Sequence, residues 1–423
     1  MRLFIVTILL AIYSCARAQL LPEIPESEVN RIEKTLSSDD MQGRKINTPG
    51  IDRAAAFIAK EFQEAGLKPL SGFVDYYQLF SILDPQSVEI TASLDGEVIS
   101  SKKILAYSAD SSLSVTPEDN YEKVYLRKGG NLTEIFFKYL DGKRNVLILI
   151  DTSFAVKFER LAKIHLPQFS GSGNRIFLLT STDPKQYNIR IKQKIRYQLL
   201  KNVAGMIPGK SRPEEYVIFS AHYDHLGIGK PDATGDSVFN GANDDASGTT
   251  AVITLAKYFS KLHNNDRTII FAAFTAEESG EFGSAYFSRQ LEPDKVTAMF
   301  NIEMIGTESK WGLNSAYITG YEKSDMGQIL QKNLTHSRFR FYPDPYPEQM
   351  LFLRSDNATL AKLGVPAHTI STSKMDNEKF YHTRGDEIGT LDISNMTEII
   401  RAIGLSAQTI ISGQDTPTRV RTN

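Results

Sequence analysis

The chain contains one cysteine, Cys15, among its 423 residues. This cysteine lies in an N-terminal segment with the features of an export signal, and cleavage after Ala18 would leave a mature protein without a thiol. Such a protein could form no disulfide bond and could not use a thiol nucleophile. Any catalysis must therefore use other side chains.

The sequence also lacks a strong charge imbalance and a long hydrophobic run. Its formal net charge is -2, which gives no electrostatic reason to expect binding to nucleic acid or to an anionic membrane. The apolar stretch from 3 to 13 is too short to span a bilayer. We therefore expect no nucleic-acid partner and no integral membrane span, and the oligomeric state stays open.

The first residues predict a signal peptide over 1–18. Arg2 supplies a positive start, residues 3–13 an apolar stretch, and Ala16-Arg17-Ala18 a cleavage site between small residues. We expect an exported protein, either periplasmic or secreted. A weaker alternative is a loose lipoprotein signal ending at Cys15, which would then be lipidated and retained as an anchor.

The rest of the chain divides into four segments. Residues 19–73 carry apolar side chains at helical spacing, which predicts a helical segment packed on the main domain. Residues 74–200 alternate short β-rich runs with polar stretches, which predicts an inserted β-rich subdomain; a diverged protease-associated type is one interpretation. Strands and helices alternate over 201–412, which predicts a three-layer αβα sandwich around a mixed, largely parallel sheet. Residues 413–423 are expected to form a flexible tail.

Acids and histidines follow three of the predicted strands. The strand at 216–220 leads into His222, the next ends before Glu277, and a third ends before Glu303. Ligands of open α/β sheets bind outside the carboxyl ends of the strands, so we expect these side chains to meet at one edge. Two histidines and three carboxylates suit one or two divalent ions, with zinc favoured. The candidate segments centre on His222, Asp244-Asp245, Glu277-Glu278, Glu303 and His382.

Several motifs around these residues resemble the zinc aminopeptidases of the M28 metallopeptidase family. They are, in order, Asn202-Val203-Ala204-Gly205-Met206-Ile207-Pro208-Gly209, Ala221-His222-Tyr223-Asp224-His225-Leu226-Gly227, Asn243-Asp244-Asp245-Ala246-Ser247-Gly248, Thr275-Ala276-Glu277-Glu278-Ser279-Gly280 and Tyr381-His382-Thr383. The N-terminal helical segment, with Met41-Gln42-Gly43-Arg44, is also similar. The resemblance implies an α/β enzyme that hydrolyses the N-terminal peptide bond of peptides or proteins with two zinc ions.

The resemblance also implies a role for each residue of the site. His222 and Glu303 would bind one metal, Glu278 and His382 the other, and Asp244 would bridge both. Asp224 would accept the second ring N–H of His222 and fix its tautomer. Asp245 would follow the bridging acid across a cis peptide bond. Glu277 would be the general base that takes a proton from the attacking water.

Two positions depart from the family pattern, and two other functions stay open. Position 303 holds glutamate where many relatives have aspartate, and Asn357 stands where a histidine is common. His225 follows a ligand motif and is interpreted as stabilising its loop. The same fold also serves one-zinc glutaminyl cyclases, and a relative without catalysis could act as a binding domain. Because all five ligands and Glu277 are present, the sequence favours the aminopeptidase.

Overall fold

The computed structural model of the protein describes residues 23–140, 142–164 and 167–421. The predicted signal peptide, residues 1–18, lies outside them. The α-helices of the described residues are Glu26–Leu36 (α1), Pro49–Glu64 (α2), Leu132–Leu140 (α3), Ala155–Leu161 (α4), Ser247–Leu262 (α5), Phe282–Ser288 (α6), Met326–Asn333 (α7), Asn357–Ala361 (α8), Ile393–Ser406 (α9) and Gln408–Ile411 (α10). Within these residues, no helix combines the length and apolar character needed to cross a membrane.

The strands build a large central sheet, a smaller second sheet and a two-stranded ribbon. They are Lys68–Pro69 (β1), Tyr77–Leu94 (β2), Glu97–Ile99 (β3), Ile104–Tyr107 (β4), Ser112–Val115 (β5), Glu122–Leu126 (β6), Val146–Ile150 (β7), Gln168–Phe169 (β8), Arg175–Leu179 (β9), Tyr187–Ile207 (β10), Arg212–His222 (β11), Gly227–Ile228 (β12), Val238–Phe239 (β13), Arg267–Phe274 (β14), Val296–Ile302 (β15), Ser315–Ile318 (β16), Arg340–Pro343 (β17) and Ala367–Ser371 (β18). The central sheet runs in the order β17-β16-β18-β15-β11-β14-β10-β2-β3. Strands β14, β11, β15 and β18 are mutually parallel, and their neighbours β16 and β10 are antiparallel to them.

Helices cover both faces of the central sheet. Because successive residues of a strand point to opposite faces, Val217 and Phe219 of β11 pack with α5 and α9 on one side. Ile218, between them, packs on the other side with Phe287 of α6 and Leu360 of α8. The mixed, largely parallel α/β sandwich predicted from the sequence is confirmed.

The N-terminal helices belong to the core of the same domain. Val29 and Ile32 of α1 and Ile58 of α2 are fully buried and share an apolar cluster with Phe259 of α5. Helix α2 ends at Glu64, and Gly66 follows with a positive φ of 78°, which glycine adopts without steric cost. The N-terminal segment is therefore packed against the helix that follows Asp244.

The inserted region is joined to the central sheet by two long strands. Strands β2 and β10 pair in antiparallel register from Tyr77 with Val203 to Leu94 with Tyr187. The chain therefore passes position 200, the predicted boundary, inside a continuous strand. Between these strands lies the second sheet, in the order β4-β9-β7-β6, together with α3 and α4. The region is thus rich in β-strands, as its short apolar runs predicted, and also contains two helices.

The C-terminal segment corrects one expectation. Arg267 donates hydrogen bonds to the carbonyl of Asp415 (2.7 Å) and to the hydroxyl of Thr416 (2.6 Å). The side chain of Val420 is buried in the apolar cluster below α6 and α8. A flexible tail from 413 is therefore wrong for the described residues up to 421, because the polar sequence of this segment is held by hydrogen bonds to the domain.

Candidate metal centre

The predicted site residues meet at the carboxyl edge of the parallel strands. His222 is the last residue of β11, Glu277 and Glu278 follow β14, and Glu303 follows β15 directly. Strand β11 pairs in parallel with both β14 and β15, so the three strand ends lie side by side. This edge therefore gathers side chains that are far apart in the sequence.

Asp244 and Asp245 lie in a short helical turn, Ala242–Ala246, directly before α5. The peptide bond between them is cis, as the family resemblance implied. The carboxylate of Asp386 accepts hydrogen bonds from the backbone N–H groups of Asn243 (2.7 Å) and Asp244 (3.0 Å). Asp245 Oδ1 accepts the N–H groups of Gly248 and Met304, each at 3.0 Å. Asp245 thus ties this turn to the residue after Glu303.

Four of the five predicted ligands are in direct contact. Asp244 Oδ1 lies 3.3 Å from His222 Nε2, and Asp244 Oδ2 lies 3.2 Å from His382 Nε2. His382 Nε2 is also 3.1 Å from Glu278 Oε2. Asp244 is therefore the central member, with one oxygen directed at each histidine.

His225 is a member of the site that the sequence interpretation missed. Its Nδ1 lies 2.8 Å from Glu278 Oε1 and 3.9 Å from Asp244 Oδ2. Ligand atoms of His225, Asp244 and Glu278 lie within 4.8 Å of one another, a spacing that could hold a metal ion. The His-x-x-His spacing from His222 could have signalled this, but position on a loop does not reveal which way a ring points.

The predicted hydrogen bond from the His222 ring to the carboxylate of Asp224 is wrong, because the backbone carbonyl of Asp224 makes this contact instead. His222 Nδ1 lies 3.1 Å from the backbone carbonyl of Asp224, whereas the carboxylate Oδ1 is 3.8 Å away. Because a carbonyl only accepts, this contact favours the proton on Nδ1 and leaves Nε2 to face Asp244. The carboxylate of Asp224 instead accepts the backbone N–H of Glu277 at 3.1 Å, which fixes the strand-end turn that carries Glu277 and Glu278.

Glu303 interacts electrostatically with the other acids of the site. Burial raises the pKa of Glu303, and hydrogen bonding from Ser355 partly offsets that rise. Burial likewise raises the pKa of Glu277 well above its ordinary value, and the charges of Glu303 and Asp356 raise it further. The negative charges of these neighbouring acids repel one another, so each acid destabilises the ionised form of the others.

The same neighbouring acids raise the pKa values of His222 and His382. Hydrogen bonds to Asp244 and Glu278 raise the pKa of His382 to about 10. Burial alone would lower the pKa of His222, yet Glu277 and Asp244 raise it well above its ordinary value. The histidines thus supply part of the positive charge that these acids require.

The donor set fits a divalent metal ion. Several of its atoms are buried without a hydrogen-bond partner among the described residues, including His225 Nε2 and Glu303 Oε2. Buried polar atoms are normally paired, and unpaired ones in a native fold call for an explanation such as an ion. Imidazole and carboxylate are the donors that zinc takes in catalytic sites. The fit rests on these converging unpaired donors.

A small cavity lies beside Glu303. Its volume is about 50 Å³. Its wall combines hydroxyl groups and apolar side chains with the charged Glu303 and Arg354; it includes Met304, Tyr317, Thr319, Ser371, Met375 and Tyr381. The aromatic residues Phe339, Phe341 and Tyr346 are buried. Trp311 stacks on Tyr342 at 4.2 Å between ring centroids.

A parallel sheet edge that gathers histidines and carboxylates around unpaired polar atoms is a candidate metal-binding site. Residues 202–406, just under half of the chain, match the sequence profile of peptidase family M28. The match includes every predicted metal ligand and Glu277.

Sequence relatives agree over parts of the chain. A "Probable zinc metalloprotease" of Leptosphaeria maculans is 34% identical over 112 residues, which cover 26% of this chain and 25% of the relative. "Leucine aminopeptidase 1" of Ajellomyces capsulatus is 25% identical over 211 residues, 47% of this chain and 52% of the relative. The chain thus spans between a quarter and about half of these relatives.

A solved structure shares the fold over nearly the whole chain. The zinc aminopeptidase BSAP of Bacillus subtilis superposes with a TM-score of 0.56 at 17% identity, covering 95% of this chain and all of that structure. At this identity the likeness supports the α/β fold and does not by itself assign an activity.

Proposed function

We propose that the protein is an aminopeptidase that hydrolyses N-terminal peptide bonds at a two-zinc centre. His222 and Glu303 would hold one ion, Glu278 and His382 the other, and Asp244 would bridge the two. The match of residues 202–406 to peptidase family M28 supports this assignment. His225 would support the second ion by holding the carboxylate of Glu278.

The observation that carries the proposal is the arrangement around Asp244. Its two carboxylate oxygens contact two different histidines, at 3.3 and 3.2 Å. A carboxylate with this arrangement can offer one oxygen to each of two cations. Asp386 and its two backbone hydrogen bonds hold the turn on which Asp244 sits.

Glu277 would be the catalytic base. Zinc bound here would polarise the scissile carbonyl, lower the pKa of the attacking water and stabilise negative charge on the oxygen. Glu277 would accept the proton of that water and pass it to the leaving amine. Its backbone N–H is held by the carboxylate of Asp224, which fixes the turn that carries Glu277.

The cavity beside Glu303 would receive the first side chain of the substrate. Its volume of about 50 Å³ is a third of the roughly 150 Å³ of an engineered apolar cavity that binds benzene. Small N-terminal side chains such as alanine or serine would fit it, and the hydroxyl groups of Thr319 and Ser371 would suit a polar one. We therefore expect small N-terminal residues to be preferred.

The test is hydrolysis of aminoacyl p-nitroanilides by the purified chain. Alanine, serine, leucine and phenylalanine substrates would be compared with N-acetyl-alanine p-nitroanilide, which has no free amine. Zinc-loaded wild type should cleave the free substrates, the smallest fastest, and spare the acetylated one. A chelator should stop the reaction and added zinc restore it.

The matched pair Glu277→Gln and Glu61→Gln tests the base. Glu61 is also a buried acid, but it pairs with Arg31 at 2.8 Å, away from the site. E277Q should lose about 10²–10⁴-fold in kcat and keep its zinc, while E61Q should keep its kcat. A zinc-loaded wild type that cleaves no free N-terminus, or E277Q at full rate, would overturn the proposal. One zinc per chain with cyclisation of N-terminal glutamine would instead support the cyclase alternative.

Export is a second part of the proposal. The N-terminal segment supports cleavage after Ala18, and lipidation at Cys15 is the alternative outcome. Expression of the full chain in a secreting host, followed by mass measurement of the mature N-terminus, distinguishes them. An intracellular product that retains Met1 would contradict export.

A further inference from the structure

Arg44 reaches the underside of the metal centre from a left-handed turn. Gln42, Gly43 and Arg44 have φ values of 52°, 63° and 48°, a backbone region that side-chain-bearing residues rarely occupy. A Cβ on Gly43 would lie 2.5 Å from the carbonyl oxygens of Gly227 and Phe239, so the turn requires glycine there. Backbone outliers of this kind persist where surrounding contacts hold them.

The Arg44 side chain is fully buried, and all three of its nitrogen atoms donate hydrogen bonds to backbone carbonyls. Nε donates to the carbonyl of Tyr223 at 2.9 Å, and Nη2 donates to the carbonyl of Gly241 at 2.8 Å. Nη1 donates to the carbonyls of Asn240 at 2.5 Å and Leu36 at 2.7 Å. The carbonyl of Arg44 itself accepts the N–H of His225.

The carbonyls bound by Arg44 lie beside metal ligands in two separate segments. Tyr223 is the residue after His222, and Asn240 and Gly241 precede Asp244 by four and three residues. The planar fork of arginine presents its donors in fixed directions, so one side chain sets the distance between the two segments. The contact it sets is the 3.3 Å approach of His222 Nε2 to Asp244 Oδ1.

We propose that Arg44 is a positioning residue of the metal centre, which locks the His222 segment to the Asp244 segment and thereby raises zinc affinity. The inference rests on the proposed function, because it assigns the N-terminal helical segment a part in metal binding. Arg44 touches neither substrate nor metal in this account. Its effect is exerted on the geometry of the ligands.

Arg267 offers a matched comparison. It is also almost fully buried and also donates to two backbone carbonyls, those of Ile410 (2.6 Å) and Asp415 (2.7 Å). However, it lies at the first residue of β14, whereas the site lies beyond the last. Loss of Arg267 should therefore cost stability without changing the ligand geometry.

The experiment compares zinc affinity in the full chain of wild type, Arg44→Met, Arg44→Lys and Arg267→Met. Affinity is measured by competition with a chromogenic chelator, and the melting temperature of each zinc-free protein is measured in parallel. R44M should bind zinc about 10–100-fold more weakly, the range found when groups that orient metal ligands are removed. R44K, which keeps the charge but loses the fork, should fall between. R267M should melt at a lower temperature and lose much less than the roughly 10-fold in zinc affinity at which the loss of an orienting group begins.

Wild-type affinity in R44M, or an equal loss of affinity in R267M, would overturn the inference. If R44M does not fold, R44K decides: wild-type affinity at an unchanged melting temperature would overturn it as well. A wild type that binds no zinc would overturn the proposed function, and this inference with it. A wild type that binds zinc while R44M and R44K bind it equally well would overturn this inference alone.

Discussion

The two sheets of the molecule place acids at the ends of parallel strands, yet only one of them builds a site. In the second sheet, Asp151 follows β7, and its carboxylate accepts the N–H of Ser153 (2.9 Å) and the hydroxyl of Ser181 (3.2 Å). In the central sheet, Glu303 follows β15 and retains a buried oxygen without a hydrogen-bond partner. Strand-end position is therefore insufficient. The metal centre differs from the end of β7 because its carboxylates are buried and some of its polar atoms lack a hydrogen-bond partner.

The interiors of the two regions differ in the same way. Between 95 and 186, no carboxylate of the described residues is buried, and the core there is formed by apolar residues of β7 and β9. The site of the central sheet instead buries Asp224, Asp244, Asp245 and Asp356. Burying unpaired charge costs several kcal/mol per ion, so the fold tolerates this cluster where a cation can compensate it.

The largest effect is expected from matched changes of two aspartates, one in each region. Asp244→Asn should weaken zinc binding by more than about 100-fold, beyond the effect of removing an orienting group. Asp151→Asn should leave zinc affinity and activity unchanged, because its hydrogen-bond partners Ser153 and Ser181 lie outside the site. Equilibrium dialysis with zinc measures both. Equal zinc affinity in D244N and D151N would contradict the difference between the two regions.

The next effect concerns two buried histidines, His225 and His368. His225 holds Glu278, whereas His368 contacts the carbonyl of Thr319 and the hydroxyl of Ser324. His225→Asn should reduce zinc affinity by about 10–100-fold, and His368→Asn should not change it. Chelator competition provides the measurement. Unchanged zinc affinity in H225N would show that His225 has a purely structural role.

A smaller effect is expected at the substrate cavity. Met375 lines the cavity beside Glu303, whereas Met350 lines a separate groove and is 66% exposed. Met375→Ala should enlarge the cavity and raise kcat/KM for leucine over alanine substrates by about tenfold, the low end of the effect of one methylene on selectivity. Met350→Ala should leave this ratio unchanged. An unaltered preference in M375A would place the first side chain of the substrate elsewhere.

The smallest effect on the site is expected from Glu33, which matters for stability instead. Burial raises the pKa of Glu33 to about 8, although Thr250 donates a hydrogen bond to it. The carboxyl is then neutral in the fold while it ionises in the unfolded chain, so stability falls as the pH rises from about 4.5 to 8. The upper limit is about 1.4 kcal/mol per pH unit.

Glu33→Gln should remove this pH dependence and leave zinc affinity unchanged. The melting temperature of E33Q relative to wild type should rise between pH 5 and pH 9. The same difference at both pH values would show that Glu33 is ionised in the fold.

The sequence predicted the parts of the site that depend on order along the chain. Strands ending before His222, Glu277 and Glu303 could be recognised from apolar runs, and parallel pairing then required their ends to meet. Asp244 contacts both histidines, and its bridging role stays a prediction. These features follow from topology, which the alternation of strands and helices encodes.

The parts that the sequence could not predict depend on side-chain direction and on long-range hydrogen bonds. The ring of His225 and the carboxylate of Asp224 make contacts that residue identity alone does not specify. Asp386 binds two backbone N–H groups from a segment about 140 residues away. The C-terminal segment has a polar composition typical of a tail, yet Arg267 and the burial of Val420 hold it in place.

The most direct test of the account is the zinc content of the purified wild-type chain. After dialysis against micromolar zinc and removal of free metal, inductively coupled plasma mass spectrometry gives the number of ions per chain. The account predicts two zinc ions per wild-type chain and fewer than one in D244N. A wild-type chain that retains no zinc would contradict it.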